Sequence, residues 1–253
     1  MKLLFMGTGA ADWVLKERKD GEFFRRFTSI KINSDLMIDC PADAEDYLIN
    51  SGESLCDIQN LLITHTHNDH YDADTIKKIL NKGVKIWTEK NTVPMIEKDL
   101  PSCGVCCLDL YTPSKVGEYE VICVPANHSV SDKNQIPLHY IITKGDKTIF
   151  WGCDGAWLPN YSWKEVKKYK YDLIVLDGTL GEAKGDYRTF EHNNISMIIE
   201  MSETMRSCGL LKPEGKIAMS HMSRYAHKSH SELQKSMAET NIIVAYDGME
   251  LEL

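Results

Sequence analysis

The sequence predicts an α+β fold in which two sheets pack face to face and helices cover their outer sides. Three observations lead there. The chain falls into two roughly equal halves, each running through hairpin-like strands before helices take over. Hydrophobic residues make up 43% of the 253 and charged residues 26%, with no low-complexity run, the balance of a chain that buries a large core. Neither a repeat of fixed period nor a linker-like stretch divides it, so residues 1–253 are read as one domain.

In chain order, "KLLFMG" (2–7) and "SIKINSDLMID" (29–39) read as strands, the second broken by a turn at Asn33 and Ser34. "ADAEDYLINSG" (42–52) reads as a helix stopped by Gly52. "IQNLLIT" (58–64) is an apolar strand, and "DADTIKKILNKG" (72–83) a short amphipathic helix with Ile76, Ile79 and Leu80 on one face. Strands are expected at 84–88, 105–110, 117–125, 137–144 and 147–151, mostly as hairpins with tight turns such as "KGDK" (144–147). Helix and strand then alternate: a helix near 162–169, strand "LIVL" (173–176), a helix at 194–208, strand "KIAMS" (216–220) and a helix near 229–239. Strands "IIVAY" (242–246) and "MELEL" (249–253) close the chain.

The formal net charge is −8 and no basic block stands out, which argues against a protein that grips long nucleic acid by its phosphates. A small phosphorylated substrate remains compatible with that charge, and so does a homodimer. The first apolar run ends at Gly7, too soon for a signal-peptide core or a membrane span, so a cytoplasmic protein with no membrane association is expected. Eight cysteines scattered through a chain of this length are read mostly as buried reduced thiols, and "CGVCC" (103–107) as buried thiols in preference to a zinc knuckle.

The chemistry concentrates in "ITHTHNDHYDAD" (63–74), where His65, His67, Asp69 and His70 follow an apolar strand. Imidazole and carboxylate are the donors that zinc, iron and manganese sites use, and cysteine is absent. Side chains alternate along an extended segment, so His65 and His67 can reach one ion, and Asp69 and His70, past the turn, a second. A capping role for Asp69 or Asp72 at the following helix is the plainer alternative.

"THTHNDH" resembles the HxHxDH signature of the metallo-β-lactamase superfamily, whose fold is a four-layer αββα sandwich. The resemblance implies three later ligands, found in order as His128 in "VPANHSV", Asp154 in "IFWGCDGAW" and His221 in "IAMSHMS". Taken alone, His128 and His221 could be satisfied core or surface histidines, and Asp154 a turn aspartate before Gly155. By the resemblance, His65, His67 and His128 hold one divalent metal, Asp69, His70 and His221 the other, and Asp154 bridges them. Zinc or manganese is implied, iron allowed, with attack by a hydroxide shared between the ions.

"LLFMGTGAA" opens the chain as in the superfamily's phosphodiesterase and tRNA-processing branches, and "FEHNNISM" sets His192 before a helix. His192 looks like the extra histidine of the cyclic phosphodiesterases, there beside the metals and in contact with phosphate, and is assigned with Asp69 to catalysis. The ending "IIVAYDGMELEL" resembles the phosphoribosyl cyclic phosphodiesterase branch that serves phosphonate degradation. That branch carries a cysteine-bound structural zinc near its N-terminus, and "KERKDGEFFRRFTSI" (16–30) has no cysteine for it. The implied activity is hydrolysis of a small cyclic phosphodiester; a tRNA 3′-end ribonuclease and an iron-dependent redox member are the alternatives. Arg25 and Arg26 are candidate phosphate contacts, Tyr71 and Trp157 candidate pocket walls, and His139, His227 and His230 fit no ligand position.

Overall fold

A computed structural model describes residues 1–17, 24–50, 52, 57–80, 83–101, 103–184 and 186–253. The stretch 18–23 of the early loop, Cys56 and the side chains of Ile79 and Leu80 lie outside the described residues.

The first sheet comprises β1 (Lys2–Gly7), β2 (Ser29–Ile32), β3 (Leu36–Ile38), β4 (Asn60–Leu62), β5 (Lys85–Glu89), β6 (Val105–Leu108) and the last strand, β14 (Met249–Glu252). The second comprises β7 (Ser114–Val116), β8 (Tyr119–Pro125), β9 (Leu138–Lys144), β10 (Lys147–Gly152), β11 (Tyr171–Asp177), β12 (Leu211–Ser220) and β13 (Ile242–Val244). Their orders are β14-β1-β2-β3-β4-β5-β6 and β13-β12-β11-β10-β9-β8-β7. Helices α1 (Ala44–Asn50), α2 (Ala73–Leu80) and α3 (Val93–Asp99) follow strands of the first sheet, and α4 (Asn160–Val166), α5 (Ile195–Ser207) and α6 (His230–Ser236) strands of the second.

Alternation along the strands builds the four layers. Leu3, Phe5, Ile30, Ile38 and Leu62 pack between the sheets against Tyr140, Ile142, Trp151, Leu173 and Val175. Their neighbours Leu4, Met6, Met37, Leu61 and Ile63 turn the other way, onto Leu48 of α1, Ile76 of α2 and Ile96 of α3. On the far side Phe150, Ile174, Ile217 and Met219 meet Val166 of α4, Ile198 and Met201 of α5 and Leu233 of α6. The expected four-layer αββα sandwich is therefore present.

Some details depart from expectation. The stretch 84–88 does not join a hairpin, because β5 lies parallel to both β4 and β6, and helix α3 at 93–99 and strand β7 at 114–116 were not foreseen. Helix α3 begins around Pro94, which fixes φ where an N–H would have no partner anyway. The hairpin expectation holds for β8, β9 and β10, and the unforeseen β7 pairs antiparallel with β8 as well. "CGVCC" is also corrected: Cys103 and Cys106 are half-buried and Cys107 exposed, because β6 is an edge strand that only one neighbour covers. Among the described cysteines only Cys40, Cys123 and Cys153 are buried, and all seven are free thiols. No helix among the described residues is long and apolar enough to cross a membrane.

Candidate metal centre

The ends of six strands meet at one edge of the sandwich. β3 and β4 run parallel in the first sheet, and β10, β11 and β12 run parallel in the second, so their C-terminal ends share that edge. Backbone bonds stitch the sheets together there, Met222 N donating to Thr8 O (2.8 Å) and Ala10 N to Met222 O (3.1 Å). Just beyond the strand ends stand Asp39 (β3), the run His65 to His70 (β4), His128 (β8), Asp154 (β10), Asp177 (β11) and His221 (β12).

All seven expected ligands come together, with His192 beside them. Oδ2 of Asp154 lies 3.2 Å from Nε2 of His65, 3.3 Å from Nε2 of His70, 3.3 Å from Nε2 of His128 and 3.7 Å from Nε2 of His221. His67 turns Nδ1 inward, 3.1 Å from the Nε2 atoms of both His65 and His128. Oδ2 of Asp69 is 3.3 Å from His221 Nε2 and 3.6 Å from His70 Nε2. Among the described residues four groups that could each hold a metal ion result: His65, His67, His128 and Asp154; Asp69, His70 and His221; and two that include His192, one with Asp154, Asp177 and His221 and one with His128 and Glu191.

The outer nitrogens of His65, His70 and His221 are already committed, while Nδ1 of His128 is buried without a hydrogen-bond partner among the described residues. His70 Nδ1 faces Asp39 Oδ2 at 2.7 Å, and His221 Nδ1 lies 2.7 Å from Thr179 Oγ1 and 3.2 Å from Asp177 Oδ2. His65 Nδ1 is 3.0 Å from Thr64 Oγ1, whose own proton goes to Asp39. In their neutral forms these three rings therefore carry the proton on Nδ1 and turn a bare Nε2 toward each other and toward buried carboxylates. Such an acceptor-lined hollow needs positive charge. The spacings of 3.1 to 3.3 Å are close to the ~3.4 Å edge of a tetrahedron with metal–nitrogen bonds of about 2.1 Å, so the residues fit a metal ion.

Charge follows the same logic. Burial holds the His65 imidazole well below its ordinary pKa, and burial likewise lowers His67 and His128. For His70 and His221 burial opposes protonation, but the carboxylates around them win, raising His70 well above its usual value and His221 to about 9. Against the same burial, the nearby carboxylates of Asp154 and Asp177 raise His192 to about 11. Its Nδ1 sits 3.1 Å from Asp154 Oδ1 and 3.3 Å from Asp177 Oδ2, so Nε2 is the nitrogen left to meet a ligand.

Backbone strain collects here too. Asp39, Asp154 and His221 each have φ of +59°, a left-handed conformation costing non-glycine residues roughly 1–3 kcal/mol apiece. Each sits at the turn that swings a side chain from strand end into the cluster.

Sequence reasoning missed Asp39, Asp177, Thr64 and Thr179, which orient the imidazoles. The available signal was an aspartate closing an apolar strand, in "LMID" and "LIVLD". Other candidates move away from the site. Arg25 is buried and binds Thr8 Oγ1 (2.6 Å) and Ala245 O (2.8 Å), and Arg26 stacks its guanidinium over Tyr47, so both serve the fold. Tyr71 is core, with its hydroxyl on Asp99, and Trp157 lines an apolar groove with Leu158, Trp163 and Met201. His139 is buried against Phe150, His227 bonds Gly178 O, and His230 packs on Tyr246.

Comparisons with known proteins agree with this fold. Three solved structures share the fold: the metallo-β-lactamase fold protein YhfI from Bacillus subtilis (TM-score 0.76, 14% identity, 100% of this chain and 99% of that one), zinc-bound PqqB from Methylobacterium extorquens (0.74, 14%, 100% and 100%) and the short form of human tRNase Z (0.69, 15%, 100% and 99%). Among curated proteins no sequence matches significantly. The family model described as the β-lactamase superfamily domain matches residues 36–222, and the chain belongs to that superfamily of metal-dependent hydrolases.

Proposed function

We propose that the chain hydrolyses a small phosphodiester, a ring-closed ribose phosphate or nucleotide, with two divalent metal ions at the Asp154 cluster. The convergence of four imidazole Nε2 atoms on one oxygen of Asp154, with His192 held at its other oxygen, carries this reading. His65, His67 and His128 would hold one ion and Asp69, His70 and His221 the other, with Asp154 beside both groups. Zinc, manganese and iron all suit the donors. Bound there, the ions supply electrophilic charge to a phosphoryl oxygen and acidify water.

The chain's own residues do the rest. Asp69 keeps Oδ2 on His221 while its buried Oδ1 has no hydrogen-bond partner among the described residues, placing an acceptor for a proton of the attacking water. His192, which the carboxylates of Asp154 and Asp177 pull toward its protonated form, sets an imidazole beside the phosphate that can protonate the leaving oxygen. Asp177 holds that ring through Nδ1, and Asn193 N and Thr179 N anchor Asp177 in turn (2.8 and 3.1 Å). The likeness of "FEHNNISM" and of the C-terminal strand to the phosphoribosyl branch makes a cyclic ribose phosphate the first substrate to try.

The test is metal analysis of the purified protein joined to a screen of cyclic and linear phosphodiesters, lactones, thioesters and precursor tRNA. Two metals per chain and phosphodiester turnover are expected, falling roughly 10²–10⁴-fold in His192→Ala with metal retained. Turnover of lactones, thioesters or precursor tRNA alone overturns the reading, as does a coloured iron protein without phosphodiesterase activity.

A further inference from the structure

The cleft over the cluster is small, about 230 Å³, and one wall is built by a 3-10 turn, Tyr187–Phe190, that runs into Glu191 and His192. With three residues per turn, positions i and i+3 eclipse. Arg188 and Glu191 therefore share one face, and both line the cleft. Tyr187 and Phe190 share the next face and stand 79% and 78% exposed. Across the opening Asp12 and Ser223 line the cleft, bonded to each other, and two residues on Tyr225 is 80% exposed. Asp12 also acts electrostatically on Arg188, so the two rims face one another.

Tyr187 and Phe190, each next in the chain to a cleft-lining residue and so fully in water, do nothing for the core. They mark a surface that something covers. The cleft falls below the roughly 300–1,000 Å³ of pockets that engulf a drug-sized ligand, so any ligand much larger than a ribose phosphate must spread over the rim. Asp186 takes Nε and Nη2 of Arg188 (3.0 and 2.8 Å to Oδ2), leaving Nη1 to meet an anionic or carbonyl edge.

We propose that the turn from Tyr187 to Glu191 recognises a nucleobase: the substrate is a nucleoside phosphodiester whose phosphate lies at the cluster while its base stacks on Tyr187 and Phe190. This rests on the phosphodiester reading and narrows it, since a ribose phosphate without a base would leave the rim unused. Stacking tolerates any base, because every base offers a π face, and the selectivity expected is for the presence of a base and not its identity.

Two readouts on the metal-loaded protein test it. The first compares kcat/KM for adenosine 2′,3′-cyclic phosphate with that for methyl riboside 2,3-cyclic phosphate, the same ester without a base. The second compares equilibrium binding of AMP and of ribose 5-phosphate by calorimetry. The base-bearing probe is expected to win both by roughly ten- to hundredfold, an advantage lost in the Tyr187→Ala, Phe190→Ala double variant and kept in Tyr187→Phe. Both side chains are surface groups, so an unchanged thermal transition shows that the fold is intact. Equal preference in the wild-type protein, or an equal loss on both probes in the double variant, overturns the proposal. So does a double variant that turns a dimer into a monomer with base preference unaltered, which assigns the aromatics to a second copy. If neither ester turns over but AMP still binds ahead of ribose 5-phosphate through Tyr187 and Phe190, the base site stands and the phosphodiesterase reading alone fails.

Discussion

Replacing Asp177 by asparagine tests whether the carboxylates behind the imidazoles set metal affinity. Asp177 is fully buried at the end of β11 and accepts from Thr179 N (3.1 Å), Thr179 Oγ1 (2.7 Å) and Asn193 N (2.8 Å) while facing Nδ1 of His221 (3.2 Å) and of His192 (3.3 Å). The asparagine carbonyl can keep the two backbone bonds. Its amide then presents N–H groups to imidazole nitrogens that need an acceptor, so both rings lose a carboxylate partner, His221 keeping only Thr179 Oγ1. Loss of such an orienting partner typically weakens metal binding 10- to 100-fold, about 1.4–2.7 kcal/mol. Competition with a chromophoric chelator should show this loss for one of two zinc ions, the one assigned to His221, with kcat/KM falling further because His192 is released too. Asp172→Asn supplies the control, being on the same strand but at the opposite end from the cluster. Wild-type affinity for both ions in Asp177→Asn, with unaltered kcat/KM, would refute the role given to Asp177.

Other expectations follow from the same contacts. Asp172 joins Lys147, Lys212 and Thr148 N across β10, β11 and β12; burial opposes its charge, but these partners win and hold its pKa below the usual value. Because the folded pKa is the lower one, its contribution is complete above the unfolded value of about 3.9 and disappears as pH falls through the folded value. Asp172→Asn should thus cost roughly 1 kcal/mol near pH 7 in urea titrations and progressively less below about pH 4. A Cβ at Gly155 would lie 2.9 Å from His139 Nε2 and 3.0 Å from Cε1, so Gly155→Ala should displace Asp154 and lower metal content measured by plasma emission. Trp151 is fully buried between the sheets, and Trp151→Ala should cost about 3–5 kcal/mol in equilibrium unfolding, with the transition kept cooperative.

Much of the fold is legible in the sequence because its strands are short, apolar and punctuated by turn residues. "KGDK" reads as a hairpin, and Lys144 and Lys147 do pair around Gly145, whose φ of +61° needs no Cβ. The parallel pairing of β5 and β6 is not legible, because an apolar run carries no mark of its partner's direction. Exposure of the cysteines in β6 escapes for a related reason, since edge and centre strands share one composition while covering differs. Arg25 reads as a candidate phosphate contact, yet the structure buries it, because Thr8 Oγ1 and Ala245 O offer it two acceptors inside the fold.

The candidate site divides the same way. The chemistry of His65, His67, Asp69 and His70 lies within six residues, and local geometry alone brings such donors close, so the sequence by itself determines that metal-binding groups cluster there. Gathering His128, Asp154 and His221 takes three further strands, one from each, and only the parallel arrangement of strand ends at one edge sets four imidazoles around a single oxygen of Asp154. The supporting groups Asp39, Asp177, Thr64 and Thr179 could be assigned only once the chain had folded, because an aspartate at a strand end acquires its role from the ring that tertiary packing places against it.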